Sequence, residues 1–413
     1  MAESLDNVTD AGTMGSDESR AESGGAGADR ERPVRTVFIS AAEPSADLHG
    51  SKLIAAVRAR DPRVRFIGIA GPLMRAAGCE GLFDMTAHAA MIAGIFKIAP
   101  QAWAMLQTGK RYLRTHPVDL AIVIDSPTLH IPMAKYATRA GVPVLYYIAP
   151  QVWAWAKSRV HRIRRRTKRL AVILPFEEAF FERYGMHAEY VGHPLFDTLA
   201  ERQVADTDIA ELRGRGAPLV VLLPGSRTHV VHEVLPGQLE VADAIQRAHP
   251  DVHFCVSVAN ERTEPIITDL LGKTNLRHSL HRSANGLLLR SADFALVASG
   301  TATLETAYYH VPMIVMYNAT RLGWYLFGKW ATCTKHLSLV NILADREIVP
   351  EFMPFYRSTA PIAETALDML TPEKLAAKRQ ELTDLMDPMI KTGASENAAN
   401  IVLEMLESPS GRK

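Results

Sequence analysis

The chain has 413 residues, 47% of them hydrophobic and 22% charged, enough for two or three domains and well filled by two large α/β domains. A formal net charge of +1 carries no whole-chain signature of nucleic-acid binding. Cys79, Cys255 and Cys333 lack metal spacing and fit a reducing cytoplasm, no apolar run reaches the roughly eighteen residues of a spanning helix, and the N-terminus lacks the apolar stretch of a signal peptide.

Residues 1–33 are rich in Ala, Gly, Ser, Asp and Glu and read as a disordered tail, because they cannot bury enough apolar surface to order themselves. Residues 34–40 read as a first strand. The loop after it, residues 41–50, leads into a helix and carries Glu43, Ser45 and Asp47 at the carboxyl edge, where ligands of α/β domains bind. Ser45 or Asp47 would serve equally as a helix cap. Residues 65–70 are a second strand. Residues 119–125 are a buried strand ending in a carboxylate, Asp125, after which Ser126-Pro127 breaks the strand. Asp125 there is placed either as a general base or as a solvated, capping side chain. Residues 142–148 are the next strand.

Residues 157–169 carry Lys157, Arg159, Arg162, Arg164, Arg165, Arg166, Lys168 and Arg169, just after Trp153 and Trp155. Such a run is usually a solvated helix face. Beside aromatics it also suits an anionic bilayer surface, and the whole-chain charge does not support nucleic acid. Residues 170–174 form a strand, Pro175 opens a helix with acids behind it, and His193-Pro194 closes the first half. Residues 201–217 read as a polar linker. Asp206-Thr-Asp208 within it has the spacing of a metal-holding acid pair, but no strand precedes it and a helix cap is the simpler reading.

The second half restarts the pattern with a strand at 219–223, the turn Pro224-Gly225-Ser226-Arg227, a helix from about Val231 and a strand at 253–258. An arginine in such a turn suits phosphate. Residues 294–298 are a buried strand, followed by Ser299-Gly300-Thr301-Ala302-Thr303 and a helix from Thr303. That turn offers free N–H groups, a helix dipole and three hydroxyls, a seat for a diphosphate, with Glu305 placed for a ribose diol. It is also what an ordinary capped helix start looks like. Residues 312–317 are a strand, Arg321 to Trp330 are aromatic and apolar without acids, and residues 336–350 read as a loop and short strand containing Asn341. Amphipathic helices follow from about Pro372. Strands alternating with helices on both sides of a linker imply two doubly wound parallel sheets with a cleft between them.

Several stretches, in this order, resemble the lipid-A-disaccharide synthases, a family of bacterial glycosyltransferases. They are Tyr147-Ile-Ala-Pro-Gln-Val-Trp-Ala-Trp155, Leu174-Pro-Phe-Glu with Val191-Gly-His-Pro194, Leu223-Pro-Gly-Ser-Arg227, Ala298-Ser-Gly-Thr-Ala-Thr-Leu-Glu305 and Ser338-Leu-Val-Asn-Ile-Leu-Ala344-Asp-Arg-Glu347. The resemblance runs from about residue 34 to the C-terminus. It implies a GT-B fold of two Rossmann-like domains: an acceptor-side domain over 34–200, a linker over 201–217, a UDP-sugar domain over 218–371, and C-terminal helices over 372–413 returning to the first domain.

The same resemblance implies joining UDP-2,3-diacylglucosamine to 2,3-diacylglucosamine 1-phosphate with inversion and release of UDP, without metal or cofactor. It implies Asp125 as the catalytic base. Gly225, Ser226, Arg227, Ser299, Gly300, Thr301, Thr303, Glu305 and Asn341 would lie on the UDP side, and Glu43, Ser45, Asp47 and His193 on the acceptor side. It implies a cytoplasmic protein, peripheral at the inner face of the inner membrane, and leaves room for a homodimer. A GT-B nucleotide-sugar 2-epimerase and a non-catalytic UDP-sugar or lipid-binding relative are the competing readings.

The chain departs from the family pattern at four places. Ala42 and Ala46 replace glycines of the first loop, so a position needing positive φ would be strained. Lys97 and Val230 each stand where Glu is usual, and Thr128-Leu129-His130 stands for Asp-Phe-Asn.

Overall fold

The computed structural model describes residues 34–84, 95–154, 157–318 and 334–408. The tail over 1–33, Trp155, the side chain of Lys97, the apolar stretch 321–330 and Cys333 lie outside the described residues.

Short runs of Val, Ile and Leu bounded by polar turns form most of the strands, and all but the edge strands are largely buried on both faces, as parallel strands covered by helices must be. The first sheet contains β1 (Arg35–Ser40), β2 (Val64–Ile69), β3 (Cys79–Phe83), β4 (Leu120–Ile124), β5 (Val144–Tyr147), β6 (Arg169–Val172) and β7 (Ala188–Tyr190). Its order is β3-β2-β1-β4-β5-β6-β7, parallel throughout. The second contains β8 (Leu219–Leu223), β9 (His253–Val258), β10 (His278–Arg282), β11 (Phe294–Ala298), β12 (Met313–Met316) and β13 (Glu351–Phe352), in the order β10-β9-β8-β11-β12-β13, also parallel.

In each sheet the strand order reverses once, between β1 and β4 and between β8 and β11. Loops leaving the carboxyl ends of such strands diverge to opposite faces and open a crevice. The register brings those ends level: Ser40 lies opposite Val123, and Val297 opposite Leu223. The loops of Glu43 and Asp125 therefore share one crevice, and the turns of Gly225 and Ser299 share the other.

The helices of the first half are α1 (Pro44–Arg60), α2 (Pro72–Ala76), α3 (Ile95–Thr115), α4 (Pro127–Arg139), α5 (Val160–Arg164), α6 (Phe176–Glu182) and α7 (Pro194–Ala200), whose Phe196 is buried in the core of the second sheet. Then come α8 (Asp206–Arg213), α9 (Thr228–Ala248), α10 (Glu264–Leu271), α11 (Asn285–Ser291), α12 (Thr301–Tyr308), α13 (Leu339–Ala344), α14 (Ala360–Met369), α15 (Pro372–Met386) and α16 (Ala394–Glu407). Among the described residues no helix is long and apolar enough to cross a membrane.

The boundaries differ from expectation in three places. The polar stretch 201–217 is not only a linker: it contains α8, whose Leu212 is buried in the core of the second sheet. Asp206 and Asp208 lie in the first turn of α8, where carboxylates favour the helix dipole, and among the described residues no cluster of His, Cys, Asp or Glu could hold a metal.

The C-terminal helices divide. Leu382 and Met386 hold α15 to the second core, whereas Ala398, Ala399, Ile401, Val402 and Met405 of α16 are buried in the first. Burying such side chains stabilises by about 1.5–3 kcal/mol each for the larger ones. The carboxylate of Asp197 fixes the return, accepting from the main-chain N–H groups of Gly393 at 2.7 Å and Ala394 at 3.0 Å. The third difference is Asn341, which lies in a helix, α13, rather than in a loop or strand.

Candidate active site

The turns after β8 and β11 border a cavity of about 320 Å³. Gly225, Ser226, Arg227, Ser299, Gly300, Thr301 and Glu305 line it, as do Ser257 and Asn285. Gly300 has φ +147° and open space where a side chain would stand, so a ligand can approach its main chain. At Gly225, with φ +106°, a Cβ would also strike Val230 at 2.8 Å. That contact gives Val230, buried in the first turn of α9, a packing role where the family usually carries Glu.

Glu305 is 7% exposed and held by two donors: Asn285 Nδ2 at 3.1 Å and the guanidinium of Arg202. Asn285 in turn accepts from Ser257 Oγ at 2.6 Å. The carboxylate is thus fixed at the cavity wall, in reach of a diol. Ser257 is the penultimate residue of β9, near the carboxyl edge where ligand-facing residues collect. Asn285 and Arg202 had no comparable sequence signal.

Two residues expected here are turned elsewhere. Thr303 is fully buried, and its hydroxyl donates to the carbonyl of Gly300 at 2.8 Å, so it locks the turn and offers nothing to a ligand. Asn341 is also fully buried. Its Oδ1 accepts from the N–H groups of Ile348 at 2.8 Å and Val349 at 3.0 Å, while its Nδ2 donates to Val349 O at 2.8 Å and Glu351 Oε2 at 3.0 Å. All its bonding capacity closes the loop before β13, and it does not border the cavity.

The second cavity, about 730 Å³, is the cleft between the two sheets. The first-sheet side contributes Ser45, His49, Asp125, Gln151, Arg159 and His193; Arg227 and Thr301 border both cavities, so each opens on the other. Ser45 and His49 are four residues apart on α1 and share a face. Asp47, two residues on from Ser45, faces away: it is 2% exposed and its carboxylate caps α2, accepting from the N–H groups of Leu73 at 2.9 Å and Met74 at 3.1 Å. It is therefore a structural residue rather than an acceptor contact. Pro44 starts α1 directly, and neither Ala42 nor Ala46 is among the positive-φ positions, so the alanines that replace glycine carry no strain.

Asp125 follows β4 with φ +52°, Ser126 follows with φ +40°, and Ile148, at the end of the adjacent β5, has φ +57°. Three left-handed non-glycine residues at one sheet edge cost about 1–2 kcal/mol each, and such conformations cluster at functional sites. Two donors pin the main chain of Asp125: Tyr146 Oη at 2.8 Å and His130 Nδ1 at 2.9 Å both reach its carbonyl oxygen. Because Nδ1 donates to a carbonyl, it carries the proton, and His130 Nε2 accepts from Ser40 Oγ at 2.9 Å. Burial pushes the His130 imidazole down to about 4, so it is neutral.

Burial raises the Asp125 carboxyl above the ordinary range, a hydrogen bond from the Ser126 main chain opposes this, and the nearby charge of Glu43 raises it further. Glu43 accepts from Ser126 Oγ at 3.1 Å. His193 caps α7, its Nδ1 accepting from Leu195 N at 3.1 Å, and burial with the neighbouring His49 lowers it to about 4. Its Nε2 is the protonated nitrogen.

The wall of the cleft at residues 149–152 is held by a buried pair. Trp153 Nε1 donates to Glu177 Oε1 at 2.8 Å, and the other oxygen of Glu177 accepts from Ile173 N and Leu174 N. Trp153 is 6% exposed and packs edge-on against Phe176 at 4.8 Å. It is a core residue and is not available to a bilayer, contrary to its reading beside the cationic run.

A family model described as lipid-A-disaccharide synthetase matches residues 37–405. The chain belongs to this family. Among its relatives are the lipid-A-disaccharide synthases of Syntrophus aciditrophicus and Geobacter metallireducens. Each is 36% identical to it, over 381 and 380 residues, covering 90% and 91% of this chain and 98% of each relative. A solved structure of UDP-GlcNAc 2-epimerase from Neisseria meningitidis bound to UDP-GlcNAc is similar in fold, with a TM-score of 0.55 at 12% identity, covering 91% of this chain and 99% of that one. Two parallel-sheet domains with such neighbours are the GT-B fold.

Against the lipid-A-disaccharide synthase pattern, the departure at 128–130 takes on a physical meaning. Thr128 is exposed on the first turn of α4, whereas His130 is buried beneath Asp125 and bonded to its main chain.

Proposed function

We propose that the chain joins UDP-2,3-diacylglucosamine to 2,3-diacylglucosamine 1-phosphate, giving lipid A disaccharide 1-phosphate and UDP. The observation that carries this reading is the meeting of the two cavities at Arg227 and Thr301, with Asp125 as the carboxylate lining the cleft. A UDP-sugar seated by its ribose at Glu305 and its diphosphate at the start of α12 would present its anomeric carbon toward Asp125.

The acceptor's 6-hydroxyl oxygen attacks that carbon as its proton passes to the Asp125 carboxylate. The new C–O bond forms as the bond to the β-phosphate oxygen breaks, so the anomeric configuration inverts in a single displacement. A half-buried carboxylate raised by its surroundings is a stronger base than one in water, which favours proton removal in the transition state. The departing diphosphate gains negative charge beside Arg227 and the N-terminal N–H groups of α12, which are already oriented to receive it. Glu305, rigidly held by Arg202 and Asn285, fixes the nucleoside and so the angle of attack.

Membrane attachment from the cytoplasmic face belongs to the same proposal. Arg162, Arg164, Arg165 and Lys168 are exposed, and Arg166 is pushed down by its burial and by Arg162, Arg165 and Arg139, a sign of uncompensated like charge on this surface. Trp103 on α3 is 65% exposed. The 2-epimerase alternative is not favoured, because it draws only on the shared fold.

The test is UDP release from the purified chain given UDP-2,3-diacylglucosamine, with and without 2,3-diacylglucosamine 1-phosphate, with products followed by mass. Acceptor-dependent release with a disaccharide product is expected. Release without an acceptor, or an epimerised donor, would overturn the reading.

A further inference from the structure

Of the cations in residues 157–169, most are accounted for on the outside of the fold. Arg162, Arg164, Arg165 and Lys168 are exposed, Arg166 donates to Ile131 O at 3.0 Å, and Arg169 pairs with Glu189 and Glu404. Arg159 is different. It ends the 3-10 turn Lys157–Arg159, is half-buried, and lines the cleft. Among the described residues no carboxylate pairs with it.

Its position within the cleft is also informative. The guanidinium acts on the hydroxyl of Tyr146, which itself bonds the main-chain carbonyl of Asp125. The Asp125 carboxyl stands above its ordinary range, raised first by burial and further by the charge of Glu43. The first-domain wall therefore carries two separate poles, a carboxylate at the end of β4 and a guanidinium before α5. The planar donor fork of Arg159 faces the cleft without a carboxylate to occupy it and suits the oxygens of a phosphate. Arg159 does not border the nucleotide cavity, which has Arg227 instead.

We propose that Arg159 forms a subsite for the phosphomonoester of the acceptor, in the same cleft where the acceptor's hydroxyl meets Asp125. This rests on the disaccharide synthase reading and adds what that reading leaves open: how the enzyme tells a phosphorylated sugar acceptor from its unphosphorylated counterpart. The two poles fix the sugar by both ends, so the hydroxyl is aimed by the phosphate.

The experiment compares 2,3-diacylglucosamine 1-phosphate with the corresponding methyl glycoside, which lacks the phosphate, as acceptors for the same donor. Initial rates are taken for the natural chain and for Arg159→Gln and Arg159→Lys. The natural chain should prefer the phosphorylated acceptor in kcat/KM by about 10- to 100-fold, the range of one charge-assisted contact. Arg159→Gln should erase most of that preference by losing rate on the phosphorylated acceptor alone, with donor KM unchanged. Arg159→Lys should fall between. Activity on the methyl glycoside serves as the measure of correct folding.

If both variants lose the same factor on both acceptors, or raise donor KM while keeping the preference, the subsite assignment is wrong. If the natural chain transfers to neither acceptor, the disaccharide synthase reading itself fails, and the subsite with it.

Discussion

The Nδ1–H of His130 donates to the main-chain carbonyl of Asp125 at 2.9 Å, from a fully buried ring whose other nitrogen is taken by Ser40. The contact is to the backbone and not to the carboxylate. His130 therefore acts on Asp125 by holding it in the left-handed conformation that turns its side chain into the cleft.

His130 is accordingly a positioning residue. In His130→Leu the carbonyl keeps only Tyr146, and the hydroxyl of Ser40 loses its acceptor. Loss of one buried hydrogen bond is worth about 1–3 kcal/mol, so kcat should fall roughly tenfold or more while acceptor KM changes little. His130→Asn, the family's usual residue, should recover part of the rate if its amide reaches the same carbonyl. A lowered melting temperature with unchanged kcat in the leucine variant would reduce His130 to a packing residue.

Three histidines around the cleft give a pH dependence of stability with a definite sign. Burial comes first among the causes lowering His49, His130 and His193 to about 4, with Lys52 adding to it at His49. The unfolded chain takes up these protons near 6.5 and the folded chain only near 4. Between those values the unfolded state binds more protons, so stability is complete above about 6.5 and is lost as pH falls toward 4. Glu177, raised to about 7 chiefly by burial, acts in the opposite sense between its ordinary value and 7. Denaturant midpoints at pH 7, 6 and 5 should fall in that order, and fall less steeply in His130→Asn. A midpoint that rises on acidification would show Glu177 to dominate.

Asn341 separates a structural from a ligand-binding role. Asn341→Ala leaves the N–H groups of Ile348 and Val349 without their buried acceptor and should cost about 2–4 kcal/mol of stability. UDP affinity of the folded fraction should stay within a factor of two or three, since the residue does not reach the nucleotide cavity. Weakened UDP binding at unchanged stability would return Asn341 to the nucleotide side.

What could be read from the chain was what local chemistry dictates. The apolar run of β4 closed by Ser126-Pro127 marked Asp125 as a strand-end carboxylate, and glycine beside hydroxyls marked the turns at Gly225 and Gly300. What could not be read was direction. Ser45, Asp47 and Thr303 are all polar residues at helix starts, and only the packed helix shows that Ser45 faces the cleft while the other two are spent on main-chain bonds. Arg159 is one cation in a run, distinguished only once its neighbours are seen to be exposed or paired. Asn341 staples a loop that closes ten residues later, and α15 and α16 carry similar amphipathic patterns yet pack on different cores. Each of these depends on contacts distant in sequence.

The most direct test of the account is Asp125→Asn, measured for both UDP affinity and turnover with UDP-2,3-diacylglucosamine and 2,3-diacylglucosamine 1-phosphate. The substitution preserves shape and removes the proton acceptor. The account predicts that disaccharide formation falls by about two orders of magnitude or more, the usual contribution of a general base, while UDP binds as before. Turnover near that of the natural chain would contradict it, and the base would then have to be sought elsewhere in the cleft, first at Glu43.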